Sequence, residues 1–387
     1  LFSIPASFWL SLYFISFFFI WGVFLPFWGV WLSGKGMSSE SIGLFFSIGL
    51  LLRFVSNLTL LPMVSSAKST LRLLRILGFF TVLAFALLLF FNGYMWLAGI
   101  TLVANFMMGP LAPLGDLVGA RLVNQIQLDY GRVRLWGSLS FIVGSTSVGW
   151  LIVGLGNDAI LWSIIAAALI MWLLSLLNLS PQLQDEIDLN TEEKKSLFTL
   201  FKRPSVMLFL IIVGSIQGSH GAFYAFGTIH WNEIGLSGVS IAWLWAIGVF
   251  AEILLMRFNK KLFIHWSIKQ MLLLGLIAAI IRWMVFSVSD NFYMLAIFQT
   301  FHALTFAVTH LAAIRYISLQ KKSEMVSYQS LYSGVALGLM MAGFTYLSGL
   351  FYADLHGYIF LIMSLLLMPV FWCIKIWKAK KKKKIIN

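Results

Sequence analysis

The sequence predicts an all-α integral membrane protein with twelve transmembrane helices in two six-helix bundles. Of its 387 residues, 60% are hydrophobic and only 11% charged, an apolar excess that soluble globular chains do not carry. The apolar residues fall in twelve runs, most near the twenty or so residues that cross roughly 30 Å of hydrocarbon as a helix. One long polar stretch, "SPQLQDEIDLNTEEKKSLFTLFKRP" at 180–204, divides the runs six and six. The chain therefore reads as a bundle over 1–179, a linker over 180–204, a second bundle over 205–378 and a basic tail over 379–387.

In order, the spans are expected at 8–32, 40–63, 70–91, 95–118, 132–155, 158–179, 205–228, 239–257, 268–288, 292–317, 325–351 and 355–377. The first run is longer and more aromatic than a cleaved signal peptide, so it reads as a spanning helix. The chain opens on Leu1 rather than Met, and a residue or more is expected to precede it. The fifth run, "GSLSFIVGSTSVGWLIVGLG", and the eleventh, with "SGVALGLMMAGF", are rich in small residues, which lets helices approach closely. A single cysteine, Cys373, excludes an internal disulfide and gives no sign of redox chemistry.

The net charge of +13 sits mainly in short loops and in the tail "KAKKKKKIIN". Such clusters beside apolar spans read as contacts with anionic lipid headgroups rather than nucleic acid. Even-numbered loops carry Lys68, Arg72, Arg121, Arg132, Lys194, Lys195, Lys202, Arg203, Lys260, Lys261, Lys321 and Lys322, whereas the odd-numbered loops carry only Lys35. Positive loops stay inside, so both termini are expected in the cytoplasm. The two halves also look related. "GMSSESIGLFFSIGLLLRF" from Gly36 aligns with "GLSGVSIAWLWAIGVFAEI" from Gly235 at a constant offset of 199, which sets Arg53 on Glu252. Internal repeats of this kind are usual in secondary transporters, with binding sites near the midplane.

Three further stretches, "FFFIWGVFLPFWGVWL", "LDYGRVRLWGSLSF" and "FQTFHALTFAVTHLAAIRYI", resemble the major facilitator superfamily. Within it they look most like the branch holding the lactose permease and the 3-phenylpropionate transporter, the latter more closely. The resemblance covers the whole chain. It implies the major facilitator fold, two bundles related by a pseudo-two-fold axis, alternating access and proton-coupled uptake in a bacterial inner membrane by a monomer. Two departures stand out. "LLPMVSSAKSTLRLL", between the second and third spans, lacks the acidic residue usual there, and Thr305 stands where the lactose permease has a glutamate three residues after its histidine.

Ionisable residues within spans are costly and are expected to face a protein interior or aqueous cavity. Arg53, Asp116, Glu252 and Arg282 lie inside or at the edge of spans, and Arg134 begins the fifth. They read either as a polar cavity with acids for protons and arginines for an anion, or as structural ion pairs that fix helix packing. The resemblance implies a substrate role for Asp116 and Arg134, eighteen positions apart, and sets Glu252, Arg282 and His302 on the acid, arginine and histidine of the eighth, ninth and tenth helices. Proton coupling is thus expected of Glu252, Asp116 and His302. Arg53 and Glu252, matched by the repeat, are expected to face a shared cavity.

His220, His302 and His310 are mid-span groups able to change charge near neutral pH. The last two are eight residues apart, about two turns on one helix face. Each also reads as a satisfied interior histidine. No metal-ligand spacing and no cofactor motif accompanies them. Trp21, Phe24, Phe27, Trp28, Trp31, Phe223, Tyr224 and Phe226 crowd the first and seventh spans. Packing accounts for most of these rings, while Trp28 and Tyr224 are candidates for the wall of a phenyl-bearing substrate. Arg134, Arg282, Arg53, His220, Tyr224, Trp28 and His310 are the substrate-binding candidates. The expected function is proton-coupled uptake of a small aromatic carboxylate; sugar or nucleoside symport is the alternative, ahead of drug–proton antiport. Neither HExxH nor Gly-x-Ser-x-Gly occurs, which leaves a membrane-embedded enzyme without support.

Overall fold

A computed structural model describes residues 3–64, 66–91, 93–184 and 197–377. Part of the linker and the basic tail lie outside the described residues. Among the described residues, twelve apolar helices are long enough to cross a membrane: α1 Ala6–Gly34, α2 Ser39–Met63, α3 Ala67–Leu87, α4 Tyr94–Ile126, α5 Tyr130–Leu155, α6 Asp158–Leu176, α7 Pro204–Glu233, α8 Gly238–Phe263, α9 Ile268–Val288, α10 Phe292–Ser318, α11 Ser327–Leu355 and α12 Tyr358–Ile376. Every helix begins within three residues of the start expected from hydropathy. The ends differ more, and α4 continues to Ile126 rather than stopping at 118. Asp116 and Arg121 lower the hydropathy there, but they leave the backbone ladder intact, so apolarity marks the bilayer and not the helix end.

Several helices are irregular, and the irregularities of α4, α7, α10 and α11 lie beside the groups discussed below. α4 is broken at Gly109–Pro110 into Tyr94–Met108 and Leu111–Ile126, because Pro110 has no N–H to continue the ladder. Gly109 lies against the backbone of Arg53, where an added Cβ would stand 2.9 Å from its Cα, so α2 and α4 meet closely at that level. α7 is interrupted between Gly218 and His220. α10 and α11 each contain wide π turns, at Ala303–Val308 and Tyr332–Met340.

The repeat at offset 199 extends to individual hydrogen bonds. Gly36 and Gly235 both adopt the left-handed backbone, with φ of 84° and 87°, a conformation glycine reaches without steric cost. Met37 N–H donates to Leu32 C=O as Leu236 N–H donates to Trp231 C=O. Ser38 caps α2 by accepting from the Ser41 N–H, and Ser237 accepts from the Ser240 N–H at the start of α8. The repeat therefore specifies the same turn, cap and helix twice.

The chain forms two compact units, Leu1–Asp188 with Tyr224–Ala246, and Leu189–Phe223 with Ile247–Asn387. In the first, the small residues of α5 serve packing: an added Cβ at Gly144 would stand 2.8 Å from the Phe19 carbonyl oxygen of α1, a distance only glycine permits. A short parallel pairing joins Ser3–Pro5 (β1) to Asn178–Ser180 (β2). In the second unit, Arg203 donates from both terminal nitrogens to the two carboxylate oxygens of Glu324, each at 3.1 Å. This bidentate geometry is the strong form of the ion pair, and donating to Glu324 raises the pKa of the guanidinium further.

Candidate functional site

Polar groups within the spans gather in three places, two in the first unit and one in the second. Arg53 of α2 is half-buried. Its Nε and Nη2 both donate to Asn105 Oδ1, at 2.7 and 2.5 Å, and its guanidinium lies 4.4 Å from the Trp21 ring centre and 5.8 Å from that of Phe24. Asn105 is held in turn by donating to the Thr101 carbonyl one turn back. No carboxylate pairs with Arg53 among the described residues. A neutral amide and two aromatic faces soften the cost of an internal cation, but they leave its charge uncompensated.

The second place, near the ends of α4 and α5, holds Asp116 and Arg134, with Nε 3.8 Å from Oδ1. Tyr130 donates its hydroxyl to the same carboxylate oxygen. The Arg134 guanidinium covers Phe18 at 4.0 Å and Phe14 at 5.1 Å. Both charged side chains remain partly exposed, Arg134 at 35% and Asp116 at 45%. Trp28 is fully buried, stacked between Phe24 and Trp31. Tyr224 lies at the other end of this unit's sequence and stacks on Trp245. Trp28 makes no ring contact with either guanidinium among the described residues.

In the second unit, α7, α8, α9 and α10 bring together His220, Glu252, Arg282 and His302. The π turn of α10 turns His302 and Thr305 toward Arg282. Arg282 is fully buried beside Phe223, Trp283 and Phe286. It donates to Gln299 Oε1, to Thr305 Oγ1 at 3.1 Å, and toward His302 Nδ1 at 3.4 Å. His302 Nε2 stands 3.3 Å from Glu252 Oε2. A neutral imidazole with its proton on Nε2 satisfies both ends, accepting from the arginine and donating to the carboxylate. Thr305 also meets His220 Nε2 at 2.9 Å, and His220 Nδ1 reaches the Ile216 and Gln217 carbonyls. The residue that replaces a glutamate at this position is thus a neutral hub between two helices. His310 sits two turns further along α10 and bonds Tyr332.

Reasoning from sequence missed Asn105, Gln299, Tyr130 and Tyr332. Uncharged polar side chains are common in spans and mark no depth, so only their partners single them out. Tyr130 alone carried a signal, inside "LDYGRVRLWGS".

This arrangement, with charges collected inside twelve spanning helices, is that of a membrane carrier, and the family model of the MFS_1 like family matches residues 8–363. The chain belongs to the MFS_1 like family, in the major facilitator superfamily. It is 35% identical over 364 residues to the "Probable 3-phenylpropionic acid transporter" of Escherichia coli (strain K12), covering 93% of this chain and 95% of the relative. The "Maltose permease" of Geobacillus stearothermophilus is 26% identical over 251 residues, 62% of this chain and 60% of that one. Among solved structures, a point mutant of the nucleoside transporter NupG superposes with a TM-score of 0.78 at 16% identity, over 97% of this chain and all of its own. That likeness is one of fold. As a member of this family the protein is a transporter of a small molecule and not an enzyme, with the twelve-helix major facilitator fold.

Proposed function

We propose that this transporter takes up a small aromatic carboxylate together with protons, by alternating access. The observation that carries the reading is Arg53, a mid-span guanidinium stacked on Trp21 and Phe24 and bonded to an amide, with no carboxylate partner among the described residues. An anion that brings its own apolar ring suits such a place, since the guanidinium takes the carboxylate and the indole and phenyl faces take the ring. A neutral sugar or nucleoside would instead call for a spread of neutral donors and acceptors, and would leave the cation uncompensated. The name of the Escherichia coli relative is in keeping with this reading; those of the maltose permease and NupG keep the alternative in view.

Proton coupling is assigned to Glu252 with His302. Protonating the carboxylate removes the charge that His302 and Arg282 face, which changes the electrostatic balance of the unit as the carrier reorients. Asp116, held by Tyr130 and Arg134, is the second acid. The excess of Lys and Arg in the even-numbered loops supports a cell-membrane orientation with both termini in the cytoplasm.

Reconstituted protein tests the reading directly. Adding 3-phenylpropionate outside proteoliposomes should drive its accumulation and make the outer medium more alkaline. Accumulation of maltose or a nucleoside, with none of 3-phenylpropionate, would overturn it.

A further inference from the structure

His310 and Tyr332 take no part in the Arg282–His302–Glu252 contacts, yet the structure joins them to that cluster. His302, Phe306 and His310 stand one turn apart on α10 with nearly parallel rings, 5.3 Å and 15° for the first pair and 6.5 Å and 9° for the second. His310 lies eight residues from the end of α10 at Ser318, about 12 Å along the axis, and so nearer the basic loop than His302. Its Nδ1 is 2.8 Å from the Tyr332 hydroxyl of α11. Both residues border π turns, backbone widenings that recur at functional sites.

Gln217 of α7 completes the group. It is fully buried, and its Nε2 donates to the Phe306 carbonyl at 3.0 Å, inside the π turn. Its Oε1 has no hydrogen-bond partner among the described residues. The same carboxamide acts on the Tyr332 hydroxyl through its N–H side. Leaving a buried acceptor unused costs roughly 1–3 kcal/mol, so its position next to an ionisable pair calls for a reason.

We propose that His310 and Tyr332, with Gln217 as the switching acceptor, form a second proton station that exchanges protons between Glu252 and the basic-loop end of α10. This rests on the proton-coupled reading above. When His310 is neutral, Nδ1 accepts from the Tyr332 O–H. When a proton leaves the Glu252 carboxyl and is taken by the imidazole, both ring nitrogens carry hydrogen and Nδ1 must donate to the Tyr332 oxygen. The tyrosine O–H then needs another acceptor, which Gln217 Oε1 supplies when the carboxamide turns over. The proton is released when these bonds turn back. Among the described residues, the titratable and charged groups that act on His310 are Glu252 from α8, electrostatically, and Tyr332 from α11. From α7 comes the neutral Gln217, while Arg282 of α9 reaches His302 and Thr305 instead.

The test uses Tyr332→Phe and His310→Gln in the full chain, the first removing one oxygen from a ring that keeps its packing. In proteoliposomes, 3-phenylpropionate accumulation driven by a proton gradient should fall by about tenfold or more, a barrier change of about 1.4 kcal/mol. In Tyr332→Phe, exchange between loaded vesicles, which needs no net proton movement, should stay within about twofold of wild type. Accumulation with the wild-type rate and pH profile in both variants would overturn the station while leaving the proton-coupled reading intact. Loss of exchange along with accumulation would also overturn it, because the pair would then be holding substrate. Absence of any substrate-driven proton movement in the wild type would defeat the reading beneath it. A substrate-independent arm follows a pH titration of the purified protein by infrared difference spectroscopy. An imidazole change accompanied by a tyrosine C–O band, absent in Tyr332→Phe, is expected; an imidazole change without the tyrosine band overturns the switch.

Discussion

Arg53 gives two N–H groups to one oxygen of Asn105, so the side chain that holds this cation in the membrane does so without neutralising it. The amide positions the guanidinium and leaves its charge available to a ligand. Replacing Asn105 with Asp would supply an internal carboxylate of the same shape. Affinity for 3-phenylpropionate should then fall by about tenfold or more, roughly the worth of one charge-assisted contact, while thermal stability is kept or raised. Both are read in detergent, by calorimetry and thermal shift. Unchanged affinity would mean that the anion binds elsewhere.

The Arg134 guanidinium stands 4.0 Å from the Phe18 ring centre while facing Asp116. Arg134→Lys keeps the charge and loses the planar fork and the stacking. Binding of 3-phenylpropionate is expected to weaken by about tenfold, beyond what conservation of charge would predict. An affinity equal to wild type would remove Arg134 from the substrate site.

For Glu252→Gln the expectation is a separation of two activities. The amide mimics the protonated acid, so accumulation against a gradient should be abolished while exchange between loaded vesicles continues. If the Glu252–His302 contact were purely structural, the variant would instead lose folded protein. Uphill accumulation at the wild-type rate would rule out the proton-carrier role.

The ion pair at the start of α7 predicts an asymmetry. Glu324 is 3% exposed and Arg203 is 38% exposed, so Arg203→Ala takes the cation from a carboxylate that water cannot reach. Glu324→Gln releases an arginine that water can reach. The first should cost about 2–4 kcal/mol and the second about 1 kcal/mol or less. Melting temperatures of the two variants side by side would show it, and equal losses would contradict the burial argument.

Much of the fold was open to reading from the sequence because the bilayer imposes a one-dimensional rule. A span must be apolar for about twenty residues whatever it packs against, so each of the twelve starts lies within three residues of its expected place. The repeat was equally legible. Gly36 and Gly235 recur at one offset because the same turn needs a residue free to take positive φ, and the capping serines follow at the same offset. Helix ends were less so: α4 and α8 continue past their apolar runs, since polar residues near the membrane surface extend a helix at no cost.

The charged groups of the site announced themselves for the same reason, as costly exceptions within apolar runs. Arg53, Glu252 and Arg282 stood out by depth alone, and Asp116 and Arg134 by the resemblance as well. What each one touches was decided by the tertiary structure. Asn105 rather than a carboxylate meets Arg53, Thr305 links Arg282 to His220, and Tyr332 meets His310. Side-chain partners on different helices depend on helix rotation, on the break at Pro110 and on the π turns of α10 and α11. Those are settled by packing among many residues, while a one-dimensional pattern records only how deep each residue lies.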